Sequence, residues 1–132
     1  LEDYVFYNCD SLTNVTIGNR VTSIGDSAFG DCDSLISITI PDSVTTIEDT
    51  AFTSCDNLLS ITLPDSITTM GEHVFVFCGS LETVFFNGNA PASTQTNIFG
   101  SSTPVVYHRY GATGWGATFE GLTTAIWPEI LS

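Results

Sequence analysis

Thiols, imidazoles and carboxylates are the groups of this chain that could do chemistry. Cys9, Cys32, Cys55 and Cys78 fall 23 residues apart. Four cysteines in a short chain can bridge in pairs, ligate a metal or supply a nucleophile. A metal site of the usual kind needs paired ligands such as CxxC with a nearby histidine, and the chain has neither. The two histidines, His73 and His108, stand in no nucleophile–base arrangement. No GxSxG, HExxH or phosphate-cradling glycine loop is present. The chain is therefore read as non-catalytic and without a cofactor.

The cysteines do not repeat alone. Phe6, Phe29, Phe52 and Phe75 keep the same interval, as do Leu12, Leu35, Leu58 and Leu81. A fixed period in this range marks a repeat architecture, in which each unit buries its apolar side only against its neighbours. Equivalent residues then stack about 5 Å apart, one coil above the next. The cysteine row becomes one core position seen four times, and free buried thiols are expected rather than bridges.

The elements that carry these residues can be read from one unit. In Leu35–Ile40, Ile38, Thr39 and Ile40 alternate in, out and in, as a half-buried strand does. Pro41-Asp42-Ser43 ends that strand, because proline has no N–H for the ladder. Val44–Ile47 is a second short extended piece. Ala51, Phe52 and Cys55 then share the spacing of one helical turn, with Asp49 placed to cap it, as Asp3 and Asp26 are in other units and Glu72 approximately. His73 occupies the slot of Ser27 and Thr50, expected to face solvent.

The unit IPxSVTxIxxxAFxxCxxLxxIxI resembles the BspA-like class of leucine-rich repeat found in bacterial surface proteins. It is carried here by Ile40, Pro41, Ser43, Val44, Ile47, Ala51, Phe52, Cys55, Leu58, Ile61 and Leu63. The expected fold is an α/β repeat solenoid: a right-handed leucine-rich-repeat coil with a parallel β-sheet on one face and short strands and helical turns on the other. About four units and a degenerate fifth fill residues 1–99. Residues 100–132 form a C-terminal cap, with Trp115, Phe119 and Trp127 as lids. The resemblance implies a secreted or cell-surface protein, extracellular in location, used in adhesion and protein–protein contact.

Charge narrows the partners. Fifteen acidic residues stand against Arg20 and Arg109, a net charge of −13. Phosphate backbones and anionic membrane surfaces both call for clustered Lys and Arg, so nucleic acid is excluded as a partner. No apolar run reaches the length of a membrane helix, so no membrane insertion is expected. Basic partners and cations fit the charge.

Function is expected on the outward strand face, where Asn14, Ser37, Ser60 and Thr83 make one row. Thr16, Thr39, Thr62 and Phe85 make a second, and Thr13, Ile36, Leu59 and Glu82 a third. The binding candidates are Asn14, Thr16, Ile36, Ser37, Thr39, Leu59, Ser60, Thr62, Thr83 and Phe85, facing a protein or glycan at a cell surface. Three alternatives stay open: a structural spacer, a glycan platform on the terminal aromatics, and a Ca²⁺-dependent module using the stacked Asp10, Asp33 and Asp56. Asn14-Val15-Thr16 also matches a glycosylation acceptor. A regular threonine array at Thr22/Ser23, Thr45/Thr46 and Thr68/Thr69 lies on the opposite flank.

Overall fold

The structure is a computed structural model that describes residues 1–94 and 97–127. Gln95, at the end of the small, polar segment 92–95, and the last residues of the expected cap, 128–132, lie outside the described residues.

Among the described residues eleven short strands follow one another: β1 (Asn14–Thr16), β2 (Ser23–Ile24), β3 (Ser37–Thr39), β4 (Thr46–Ile47), β5 (Ser60–Leu63), β6 (Thr69–Met70), β7 (Thr83–Phe86), β8 (Ser93–Thr94), β9 (Val105–His108), β10 (Thr118–Phe119) and β11 (Leu122–Ile126). Strands β2, β4, β6 and β8 form one parallel sheet, and β5, β7, β9 and β11 another, edged by the antiparallel β10. Strand β1 pairs with β3 in parallel, and the ladder parts between β3 and β5 although the two remain neighbours. Registers repeat by whole units: Val15 faces Ile38, Ile61 faces Val84, and Ile47 faces both Ile24 and Met70. This is a β-solenoid of stacked coils with the leucine-rich-repeat layout.

The period-23 rows build the core. Cys32, Cys55, Leu35, Leu58, Phe29, Phe52 and Phe75 are fully buried, and Ile38, Ile61 and Val84 fill the strand side. Burying a row of phenylalanines removes much apolar surface from water, and each ring gains a stacked neighbour besides.

The third side of each coil departs from expectation. Among the described residues there is no helix, so the α/β description and the helical turns are corrected. Ser27 and Asp31, Thr50 and Ser54, and His73 and Phe77 all have φ between 52° and 61°. Such left-handed residues, four apart, cannot sit in a right-handed helical turn. They turn alternate amides toward the neighbouring coil: Ser27, Phe29 and Asp31 donate to the carbonyls of Asp49, Ala51 and Thr53. Thr50, Phe52 and Ser54 donate likewise to Glu72, Val74 and Val76. The amides between them close local turns, as Ala28 does to Gly25 and Gly30 to Ser27. The physical reason is the accounting of backbone donors. An isolated helical turn orphans its first four N–H groups, whereas stacking offers each of these a carbonyl.

The aspartates change role accordingly. They do not cap their own turns. Asp3 accepts the backbone N–H of Asp26 at 2.9 Å, and Asp49 that of Glu72 at 2.9 Å. Asp26 instead accepts the Thr50 and Ser27 hydroxyls. Ser27 is buried, and Thr50 and His73 are half-buried rather than facing solvent.

No described helix is long and apolar enough to cross a membrane.

Candidate recognition face

The alternation within β3 and β5 sends Ile38, Ile61 and Leu63 inward and leaves Ser37, Thr39, Ser60 and Thr62 exposed. Parallel pairing then aligns the outward residues in rows. Asn14 stands opposite Ser37 and Thr16 opposite Thr39; Ser60 stands opposite Thr83 and Thr62 opposite Phe85. The Ser37 hydroxyl donates to Asn14 Oδ1 at 2.6 Å, so part of the polar row pairs with itself. Ile36 and Leu59, successive members of one row, are 47% and 49% exposed. With Thr13, Ser34 and Asn57 they line a shallow groove.

Thr83 and Phe85 are half-buried, unlike their counterparts in earlier coils. Strand β9 continues the ladder beside β7 and sets Tyr107 opposite Phe85, ring centroids 5.2 Å apart. Trp127 leans on Phe85 at 4.2 Å, and the Arg109 guanidinium sits 5.1 Å from the Trp127 ring centroid. The step from Phe85 to Tyr107 is one residue short of 23, and so Tyr107 escapes a strict count.

The three aromatics expected as lids divide. Trp115 and Phe119 pack on the core, against Phe86 at 4.9 Å and 5.4 Å. The Trp115 indole N–H donates to the Gly88 carbonyl at 3.1 Å, and the His108 ring lies flat on Trp115 at 5.0 Å. Trp127 belongs instead to the outward face. The β10–β11 hairpin that carries Phe119 turns through Glu120 and Gly121, both at positive φ, the geometry of a two-residue primed turn.

The cysteines are free thiols; Cys32, Cys55 and Cys78 are buried and Cys9, in the first coil, is half-buried. Each of the three buried thiols donates to the carbonyl of the phenylalanine one coil back: Cys32 to Phe6 at 3.2 Å, Cys55 to Phe29 at 3.2 Å, Cys78 to Phe52 at 3.1 Å. Burial pushes all three thiols up, that of Cys78 to about 11. These are poor nucleophiles, since reactivity needs the thiolate. Ser102 takes the same place in the next coil and donates to Phe75 at 2.9 Å. A count of cysteines misses it, because the step from Cys78 is one residue longer.

Asp10, Asp33 and Asp56 are exposed in the turns that lead into the strands. Among the described residues no three His, Cys, Asp or Glu side chains come together as metal ligands. On the opposite flank, Thr22, Thr45 and Thr68 are exposed in register, and the Thr45 and Thr68 hydroxyls donate to the carbonyls of Thr22 and Thr45.

Comparison with known proteins fits this geometry. The family model of the BspA type leucine rich repeat region matches residues 1–109 in six copies. A leucine-rich repeat protein of T. pallidum is 31% identical over 81% of this chain and 50% of its own, with a TM-score of 0.74. A leucine-rich repeat protein of Bacteroides capillosus is 34% identical over 67% of this chain and 62% of its own, with a TM-score of 0.61. A protein of Faecalibacterium prausnitzii described as a leucine rich cell surface protein is 27% identical over 82% of this chain and 38% of its own, with a TM-score of 0.65. The chain thus spans half or less of the first and third of these and under two thirds of the second. Comparison with curated protein sequences gives no match. The repeat, the stacked coils and the matched family agree: the chain belongs to the BspA type leucine-rich repeat family.

Proposed function

We propose that this chain is a non-catalytic recognition module of a secreted or cell-surface protein, contacting a protein partner through its outward strand face. One observation carries the reading: Ser37 and Thr39 on β3 and Ser60 and Thr62 on β5 are exposed beside Ile36 and Leu59, which expose nearly half their surface to water. Exposed aliphatics rimmed by hydroxyls have the composition of an interface rather than of a solvated sheet. The surface-protein description of the Faecalibacterium relative supports the location.

The test is a binding panel of extracellular proteins together with a glycan array. The wild-type chain is compared with a variant carrying Ser37→Lys, Thr39→Lys, Ser60→Lys and Thr62→Lys. The expected result is a protein that binds wild type and is lost by the variant, with the melting curve nearly unchanged. Binding unaffected by the four lysines would overturn the strand-face reading, and a chain that binds nothing would be a spacer. A glycan reading rests on Phe85, Tyr107 and Trp127, the aromatic rings gathered on the same face; array binding lost on Trp127→Ala would favour it.

A further inference from the structure

We propose that the groove between Ile36 and Leu59 takes a basic segment of a partner protein, anchored by an aliphatic side chain. This rests on the strand face being the recognition face and names the chemistry that it would select.

Three observations meet at one place. Ile36 and Leu59 are successive members of one row, 47% and 49% exposed, and with Thr13, Ser34 and Asn57 they line the groove. Ile36 and Leu59 directly precede β3 and β5, the two strands between which the ladder parts. Its wall is fixed across coils, since the Asn57 side-chain amide donates to the Asp33 carbonyl at 2.6 Å. The two apolar side chains are thus presented on a braced surface.

The rim is anionic. Asp33 and Asp56 directly precede the lining residues Ser34 and Asn57, and both are exposed, as is Asp10 one coil earlier. Glu82 continues the row beyond Leu59, its amide bonded to the Leu59 carbonyl at 2.8 Å, and its side chain is exposed. The chain has only two basic residues to offset these. Arg20 lies in the turn after β1, and Arg109 is engaged over Trp127. Charge complementarity therefore selects a cationic partner and repels anionic lipid or nucleic acid. The aliphatic lining selects among cationic partners. A sugar ring prefers an aromatic platform, and a wholly hydrophilic basic peptide would leave Ile36 and Leu59 wet. Lysine and arginine flanking a leucine, isoleucine or valine satisfy both demands.

The test uses the full chain with methyl-labelled isoleucine and leucine, titrated with three synthetic peptides of equal length: alternating Lys/Leu, Lys/Ser and Glu/Leu. The Lys/Leu peptide is expected to shift the Ile36 and Leu59 methyl resonances. Its affinity should fall about 30-fold when both anchors are removed in the Ile36→Ser, Leu59→Ser variant. It should also fall in the Asp33→Asn, Asp56→Asn variant and with added salt. Both pairs of sites are exposed, and an unchanged melting curve checks that the variants fold. Equal binding of Lys/Ser would remove the aliphatic anchor from the proposal, and equal binding of Glu/Leu would remove the charge; either overturns it. Unshifted methyls overturn it as well. If the peptides fail while a panel protein still binds and is lost on the strand-face lysines, the groove is wrong and the recognition face stands. If both fail, neither stands.

Discussion

Phe29 and Phe52 lie ring over ring, centroids 5.5 Å apart and planes within 2° of parallel. The stack continues from Phe6 through Phe29, Phe52 and Phe75 to Phe99, each step between 5.4 and 5.7 Å. The centroid spacing exceeds the roughly 4.8 Å between paired strands, so each ring is offset from the next, the arrangement that the ring quadrupole favours. One side chain per coil thus ties five successive coils together.

The interior of that stack should matter more than its end. Phe52 is fully buried between two rings, whereas Phe6 is 36% exposed and stacks on Phe29. Phe52→Ala is expected to cost about 3–5 kcal/mol and Phe6→Ala about 1–2 kcal/mol, read from urea midpoints at fixed m-value. Equal losses would mean that the stack does not carry the core.

Stability should fall at alkaline pH through the thiol row. Burial raises Cys78 from an ordinary value of 9.0 to about 11. Below pH 9 the thiol is protonated in both states and its contribution is whole. Above pH 9 the unfolded chain releases the proton first, so stability drains away until about pH 11. The loss from this one group is on the order of 3 kcal/mol. In Cys78→Ser, which imitates Ser102, the decline in melting temperature between pH 9 and 11 should become shallower. An identical pH profile would assign the alkaline loss to other groups.

What the residue pattern reveals about this fold follows from what repeats. The 23-residue spacing suffices to face Leu35, Ile38 and Cys55 inward and Ser37 and Thr62 outward, because stacking fixes orientation once the period is known. It does not reveal the backbone of the third side. Ala51, Phe52 and Cys55 have a helical spacing, but the same spacing suits a turn held open by left-handed Thr50 and Ser54, and only the donor accounting between coils decides. Nor does it separate Trp115 from Trp127. Both follow the regular units, and which one meets the core depends on how the β10–β11 hairpin folds back. Of the candidate recognition face, the rows were legible. The partial cover of Phe85 was not, since it comes from Tyr107 and Trp127, beyond the strict period.

Gly71 should resist even alanine. A Cβ there would meet the Asp49 backbone nitrogen at 2.6 Å as well as the Asp49 side chain. Gly25 is as tightly placed, with the Leu1 carbonyl at 2.7 Å and the Asp3 nitrogen at 2.8 Å. In both pairs the glycine leaves room for the aspartate carboxylate of the preceding coil to reach the next amide, Glu72 or Asp26. Gly71→Ala is expected to cost about 1–3 kcal/mol in chemical denaturation, although alanine is otherwise the better-ordered residue. A neutral or stabilising outcome would show that the coils can part at no cost.

Phe77 is the opposite case, a residue that the fold would be better without. It holds φ at 61° and is 64% exposed, in a slot filled by Asn8, Asp31 and Ser54 elsewhere. Asparagine tolerates the left-handed region far better than phenylalanine. Phe77→Asn should therefore stabilise the chain by about 0.5–1 kcal/mol, seen as a higher melting temperature. A loss of stability would mean that the exposed ring makes contacts worth more than the strain.

The two tryptophans give the sharpest test of how the solenoid ends. Trp115 touches Phe86 and Phe119, donates to Gly88 and carries the His108 ring on its face. Removing it uncovers the last core layer and leaves the Gly88 carbonyl to find water. Trp127 covers only the outward side of Phe85 and holds Arg109 above it. Trp115→Ala should thus cost about 3 kcal/mol and expose hydrophobic surface to a dye such as ANS, whereas Trp127→Ala should cost under about 1.5 kcal/mol and bind no dye. Because the effect of Trp115 passes to the core, its loss should also speed amide exchange in β7, whose Phe86 it covers. If Trp127→Ala instead brought the larger loss and the dye signal, the lid would lie on the strand face, and the hairpin of β10 and β11 would be an appendage rather than the closing layer.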